Sequence, residues 1–212
     1  MTVAPRRPGW LIAVEGVDGA GKSTFTRALV RTLRSRGRSV GSRREPTNST
    51  LGALAQRASV EDPWAGAVYF TLDRFLARNA LTHDLARYEV VVSDRSFYST
   101  LAYQGSALRA TERRRLTELQ RRATVVPHRV VLLDLTPAEA LRRLGSRASP
   151  RGPLERRRVL ARVAREYRNL ARRGRWMILD ARRPTADLVR TAVAALEADL
   201  PASRGGSSRR RR

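Results

Sequence analysis

Residues 15–24 read EGVDGAGKST, and the sequence on either side of them decides the fold. Before them runs Leu11-Ile-Ala-Val-Glu15, apolar at adjacent positions, as expected of a strand covered on both faces. After them comes STFTRALVRTLRSRG (23–37), compatible with a helix and ending in Gly37, a natural stop. Within this strand–loop–helix setting, Gly16 to Ser23 fits the spacing GxxxxGK[ST]. The glycines allow backbone N–H groups to turn inward around a phosphate at a helix N-terminus, whose dipole favours anions. Lys22 is expected to reach the β- and γ-phosphates, and the Ser23 hydroxyl to bind Mg2+. Gly16, Val17, Asp18, Gly19, Ala20, Gly21, Lys22, Ser23 and Thr24 are therefore candidate contacts for a nucleoside triphosphate.

Lys22 is also the only lysine among 43 Lys and Arg residues. A bias that writes Arg at 42 basic positions stops here, so the site itself rejects Arg. A compact ammonium on a flexible stem fits between phosphate oxygens where a planar guanidinium is too wide.

The net charge of +24 has two readings: attraction to nucleic acid or polyphosphate, and the same Arg bias acting on solvated positions. The near-absence of Lys favours the bias. Non-specific nucleic-acid binding through the Arg-rich surface and the tail SRGGSSRRRR is expected as a side property. The composition, 42% hydrophobic over 212 residues, supports one ordinary folded domain, with residues 201–212 a disordered basic tail. No cysteine is present, which excludes disulfides and thiolate metal sites. The start, MTVAPRRPGW, lacks the apolar stretch of a secretory signal, and no run approaches the roughly 18 apolar residues of a membrane span. A cytoplasmic location is the expectation.

Further strand-like runs lie at 39–44, 89–94, 129–135 and 175–180, and amphipathic segments at 65–86, 111–122, 137–144, 155–173 and 186–198. This alternation predicts an α/β fold, a P-loop NTPase three-layer α/β/α sandwich on a mainly parallel five-stranded sheet. Ligands in such folds bind beyond the carboxyl ends of the strands. Glu15, Asp94, Asp134 and Asp180 stand at or near those ends. Asp94 is the candidate for the metal-holding carboxylate beside the loop, since Arg95 follows it and a polar, aromatic loop comes next; Asp134 and Asp180 read better as caps of helices or turns.

Several stretches together resemble the thymidylate kinase family: EGVDGAGKST, Arg44-Glu45-Pro46, Tyr69-Phe-Thr-Leu-Asp-Arg74, Asp94-Arg95, Ser99-Thr-Leu-Ala-Tyr-Gln-Gly105, and a lid-like segment from Ser146 to Arg156. The resemblance implies transfer of the γ-phosphoryl of ATP to dTMP by a homodimer, with a lid at about 145–155. For the acceptor it implies that Phe70 stacks on thymine, Arg74 donates to a thymine carbonyl, and Thr100 and Gln104 address the base edge. Tyr103 would lie against the sugar, Asp18 would accept from its 3′-OH, and Arg44 and Arg95 would hold the monophosphate. Gly19 stands where some family members carry an arginine, which places this chain with those that supply it from the lid. Arg147 or Arg151 is then the expected catalytic arginine, with Arg143 nearer the adenine.

The chain departs from the family pattern at Ser96 (a Tyr in the pattern), at Thr71-Leu72 (a small pair) and at Thr47–Thr50. A reshaped acceptor pocket is the expected consequence, and a kinase for another nucleoside or nucleoside monophosphate is the alternative. A nucleic-acid-binding P-loop protein is the more distant one.

Overall fold

The computed structural model describes residues 8–145 and 157–200. The apolar run at Leu11 becomes β1 (Trp10–Glu15), buried from Leu11 onward because it is the middle strand of five. It pairs in parallel with β3 (Val90–Asp94) on one side and β4 (Arg129–Asp134) on the other. β2 (Val40–Arg44) extends the sheet beyond β3 and β5 (Met177–Asp180) beyond β4, giving the all-parallel order β2-β3-β1-β4-β5. The chain thus leaves β1 at the point where successive strands part to opposite sides, and there α/β sheets open a crevice for ligands.

Eight helices are described: α1 (Lys22–Ser35), α2 (Thr50–Glu61), α3 (Pro63–Arg87), α4 (Phe97–Tyr103), α5 (Ala110–Ala123), α6 (Pro137–Gly145), α7 (Arg157–Gly174) and α8 (Thr185–Asp199). Alternate strand residues point to opposite faces. Ile12 and Val14 join Phe25, Leu29 and Leu33 of α1 and Leu188, Val193 and Leu196 of α8 in the main core. Leu11 and Val91 meet Leu81 and Leu85 of α3 in a second cluster. Helices on both faces of a parallel sheet make the anticipated three-layer sandwich.

Two readings of the sequence are corrected. The stretch after Asp94 is not a loop: Ser96 caps α4 by accepting from the Tyr98 N–H at 3.3 Å, and Phe97, Ser99, Thr100 and Leu101 are buried. The helix α2 was absent from the sequence reading. Its signal was Ser49, whose hydroxyl accepts from the Gly52 N–H at 3.0 Å. The anticipated lid, apart from Gly145, and the tail 201–212 lie outside the described residues.

Candidate active site

The loop between β1 and α1 holds its shape through three glycines with positive φ: Gly16 at 148°, Gly19 at 89° and Gly21 at 87°. A Cβ on Gly16 would sit 2.6 Å from the Leu133 carbonyl oxygen, so β4 closes that side of the loop. A Cβ on Gly19 would come within 3.0 Å of the Ala140 carbonyl oxygen and 3.3 Å of Leu144 Cγ, both on α6. A side chain at Gly19 is therefore crowded by α6 and strained by the positive φ.

Lys22 is 6% exposed, and its Nζ donates to the Val17 carbonyl at 2.9 Å across the loop. Burial, with Arg95 nearby, pulls the ammonium down to about 8, against the stabilising pull of Asp18, Asp94 and Glu15. Ser23 Oγ donates to Asp94 Oδ2 at 2.5 Å. Asp94 can do this because β3 lies beside β1 in a register that sets Asp94 opposite Val14. Asp134, on the other neighbour of β1, instead takes Arg168 Nε on both oxygens at 3.0 Å. That is an ion pair to α7, not the cap read from the sequence. Asp180 does hold a turn, accepting from the Arg182 N–H at 3.0 Å.

Asp18, Lys22 and Ser23 line one cavity of about 170 Å³ with Arg44, Asp94 and Arg95. Arg95 has φ 77°, fixed in part by its N–H bond to the Val14 carbonyl at 2.9 Å. Its guanidinium reaches the Asp18 carboxylate and, at 3.1 Å, Ser99 Oγ. It also lies 5.6 Å from the centre of the Tyr103 ring. Burial works to raise the Asp18 carboxyl, but Arg95 and then Lys22 outweigh it and hold the group at about 2. The Asp18 N–H donates to the Tyr103 hydroxyl at 3.0 Å, and burial pushes that phenol up, so it stays protonated.

The base-binding candidates lie farther along. Arg74 is 5% exposed: Nε donates to Glu45 Oε2 at 2.6 Å and Nη1 to Thr100 Oγ1 at 2.9 Å. Phe70 is half-buried one turn earlier on the same face of α3. Thr100, on α4, and Gln104, which caps its C-terminus, are buried one turn apart. Arg143, on α6, turns to the Ala181 carbonyl at 2.9 Å. The residues brought together are therefore Asp18, Lys22, Ser23, Arg44, Asp94, Arg95 and Tyr103 on one side, and Arg74 with Thr100 on the other. Arg147 and Arg151 lie outside the described residues.

The departures from the expected pattern have visible reasons. Ser96 donates from both its N–H (2.8 Å) and its hydroxyl (2.7 Å) to Glu15 Oε1, filling a polar interior place. Thr71 is buried, whereas Leu72 is 44% exposed on the outer side of α3.

Glu15 itself went without a role in the sequence reading. It is 0% exposed, and its other oxygen, Oε2, accepts from Ser99 Oγ at 2.7 Å and Tyr167 OH at 2.9 Å. Its place at a strand end was the only signal.

The thymidylate kinase family model matches residues 14–192, a span running from the end of β1 into α8. The chain belongs to the thymidylate kinase family. Among its relatives, a thymidylate kinase of Leifsonia xyli subsp. xyli is 38% identical over 200 residues, covering 89% of this chain and 94% of that protein. One of Paracidovorax citrulli is 36% identical over 196 residues, covering 84% and 88%. A probable thymidylate kinase of Metallosphaera sedula is 29% identical, with 91% and 95% covered. The matched span includes both the phosphate loop and Arg74.

Proposed function

We propose that this chain transfers the γ-phosphoryl group of ATP to dTMP, giving ADP and dTDP. One observation carries the reading: the phosphate loop and the two arginines anticipated for a monophosphate, Arg44 and Arg95, line the same cavity. A donor phosphate on the loop and an acceptor phosphate on the arginines then meet without further rearrangement of the sheet. The acceptor oxygen is already anionic, so no side chain has to remove its proton, and catalysis is positioning and charge neutralisation.

In this reading the loop N–H groups and Lys22 hold the donor phosphates. Arg44 and Arg95 hold the acceptor phosphate through guanidinium forks. Asp18, ionised throughout the physiological range, accepts from the sugar hydroxyl, and the Tyr103 ring lies against the sugar. Phe70 stacks on the base, Arg74 donates to a base carbonyl, and Thr100 and Gln104 complete the edge. The crowding of Gly19 by α6 supports an arginine supplied from elsewhere, Arg147 or Arg151 of the lid, with Arg143 nearer the adenine.

Among the described residues no cluster of three or more His, Cys, Asp and Glu side chains could hold a metal by itself. The Ser23 hydroxyl and the Asp94 carboxylate are two hard oxygen donors at the cavity wall. That set fits Mg2+, which takes one or two protein oxygens and completes its shell with phosphates and water. When bound there, Mg2+ neutralises charge on the transferring phosphates.

A homodimer is supported by the outer face of α3, where Val68, Leu72, Phe75 and Leu76 are 51%, 44%, 57% and 67% exposed. Their spacing makes one apolar stripe, which a second copy covers about a twofold axis. Phe75→Asp with Leu76→Asp is expected to convert a dimer to a monomer of 23.8 kDa in light scattering. A wild type already monomeric at micromolar concentration sinks this part of the reading. No helix among the described residues is long and apolar enough to cross a membrane, and a cytoplasmic setting suits a nucleotide kinase. The Arg-rich surface adds salt-sensitive, sequence-independent affinity for nucleic acid.

The substrate claim is tested by ADP release across dTMP, dUMP, dCMP, AMP and GMP. The expected result is a clear preference for dTMP in kcat/KM. Equal use of the five acceptors overturns it.

A further inference from the structure

Beneath Arg74 lies a chain of buried hydrogen bonds that the family pattern does not account for. Thr71 Oγ1 donates its one proton to the Ala67 carbonyl at 2.6 Å. That leaves Thr71 only as an acceptor, and it accepts from Gln120 Nε2 at 2.5 Å. The Gln120 amide is thereby oriented with Oε1 toward Arg74, from whose Nη1 it accepts at 2.9 Å. Gln120 is 0% exposed and Thr71 7%, so no water competes for these protons.

The guanidinium has five N–H donors. Glu45 Oε2 takes one, Thr100 Oγ1 and Gln120 Oε1 take both on Nη1, and the Ser96 carbonyl takes one on Nη2 at 3.3 Å. One Nη2 proton has no acceptor among the described residues. Without Gln120, a second donor, on Nη1, is also unsatisfied, and the group is held by three hydrogen bonds instead of four, so its orientation is less tightly fixed.

We propose that Thr71 and Gln120 are positioning residues for base selection: they act through Arg74, orienting its guanidinium so that a single donor is left for a carbonyl of the acceptor base. The inference rests on the functional reading above, in which Arg74 meets the base. It gives Thr71 a task where the family pattern has a small residue, and it ties that choice to Gln120 on a different helix.

Thr71→Val keeps the shape and removes only the hydroxyl; Thr71→Ser restores the hydroxyl. With purified full-length protein, Thr71→Val is expected to raise the KM for dTMP about tenfold, as fits weakening of one charged hydrogen bond. It should leave kcat and the KM for ATP within about twofold, since the phosphate loop is untouched. The dTMP-over-dCMP ratio of kcat/KM should fall about tenfold as well, because dCMP carries an amino donor where dTMP has a carbonyl. Thr71→Ser should behave as wild type. Gln120→Met should match Thr71→Val, and the double variant should be no worse than either, as expected of two links in one chain. If Gln120→Met does not fold, the Thr71 pair decides the question alone.

Unchanged dTMP KM and acceptor ratio in Thr71→Val overturn the proposal, as does a loss confined to kcat and melting temperature. A wild type with no preference for dTMP overturns the functional reading and this proposal with it. A wild type that prefers dTMP, with variants that keep that preference in full, overturns the proposal alone.

Discussion

Lys22→Arg is expected to lower kcat about 10²–10³-fold, the scale on which loss of one preorganised charged contact acts in an active site. In most of this protein the reverse exchange is harmless in principle: Arg27 and Arg31, for example, sit exposed on α1, and Lys at either should leave turnover as it is. At position 22 the side chain is buried and its head group meets the Val17 carbonyl across the loop. A guanidinium there has to push apart the loop that forms the phosphate cradle. Single-turnover kinetics with ATP and dTMP provide the measurement, with melting temperature as the check on folding. A Lys22→Arg enzyme with full kcat would show that the lone lysine is an accident. The same residue sets a pH limit. Its ammonium, pulled down to about 8 chiefly by burial, loses charge as pH rises through that value. The kcat/KM for ATP, which reports free-enzyme groups, should therefore decline on the alkaline side of about pH 8, while Asp18, already ionised at about 2, contributes no change near neutrality.

Glu15→Ala is expected to destabilise the fold by about 3–5 kcal/mol in urea unfolding, because it strands several buried donors at once. The carboxylate accepts from the Ser96 N–H and hydroxyl, from Ser99 and from Tyr167, joining the end of β1 to α4 and α7. Water does not reach these groups, since Glu15, Ser96, Ser99 and Tyr167 are all buried. Glu15→Gln keeps the acceptor oxygen but turns an amide toward two hydroxyls, so an intermediate loss is expected. A functional effect should accompany it: Ser99 also accepts from Arg95, and a displaced Ser99 leaves that guanidinium less well aimed. The KM for dTMP should rise even in the fraction that folds. A Glu15→Ala protein within about 1 kcal/mol of wild type would mean these hydrogen bonds are readily replaced by rearrangement.

The parts of the molecule that follow a local rule were readable from residues alone. LIAVE, the glycine spacing and the helix stop at Gly37 identify β1, the loop and α1, and the apolar runs at 89–94 and 129–135 supply the strands on either side. Asp94 was separable from Asp134 only through its neighbours in sequence. The sheet order gives both a place beside β1, and Ser23 and Arg168 then settle which carboxylate faces the loop. Interior polar contacts were illegible because they join residues distant in the chain: Glu15 to Tyr167 spans 152 positions and Thr71 to Gln120 spans 49. No periodicity marks such pairs. An Arg background of this density further hid which guanidinium is buried, and Arg74 is distinguished by its four acceptors, not by its identity.

The contact between Asp18 and Arg95 carries a last consequence. The guanidinium expected to receive the acceptor phosphate already has an anion of its own in Asp18. Capture of the acceptor is then an exchange of one anion for another, and its affinity is a difference between two similar quantities. Small inorganic anions enter the same contest, so sulfate or phosphate in a buffer should weaken apparent acceptor affinity more than an equal ionic strength of chloride does. The strength of acceptor binding at this end of the cavity is thus set in part by the ion pair of Asp18 with Arg95.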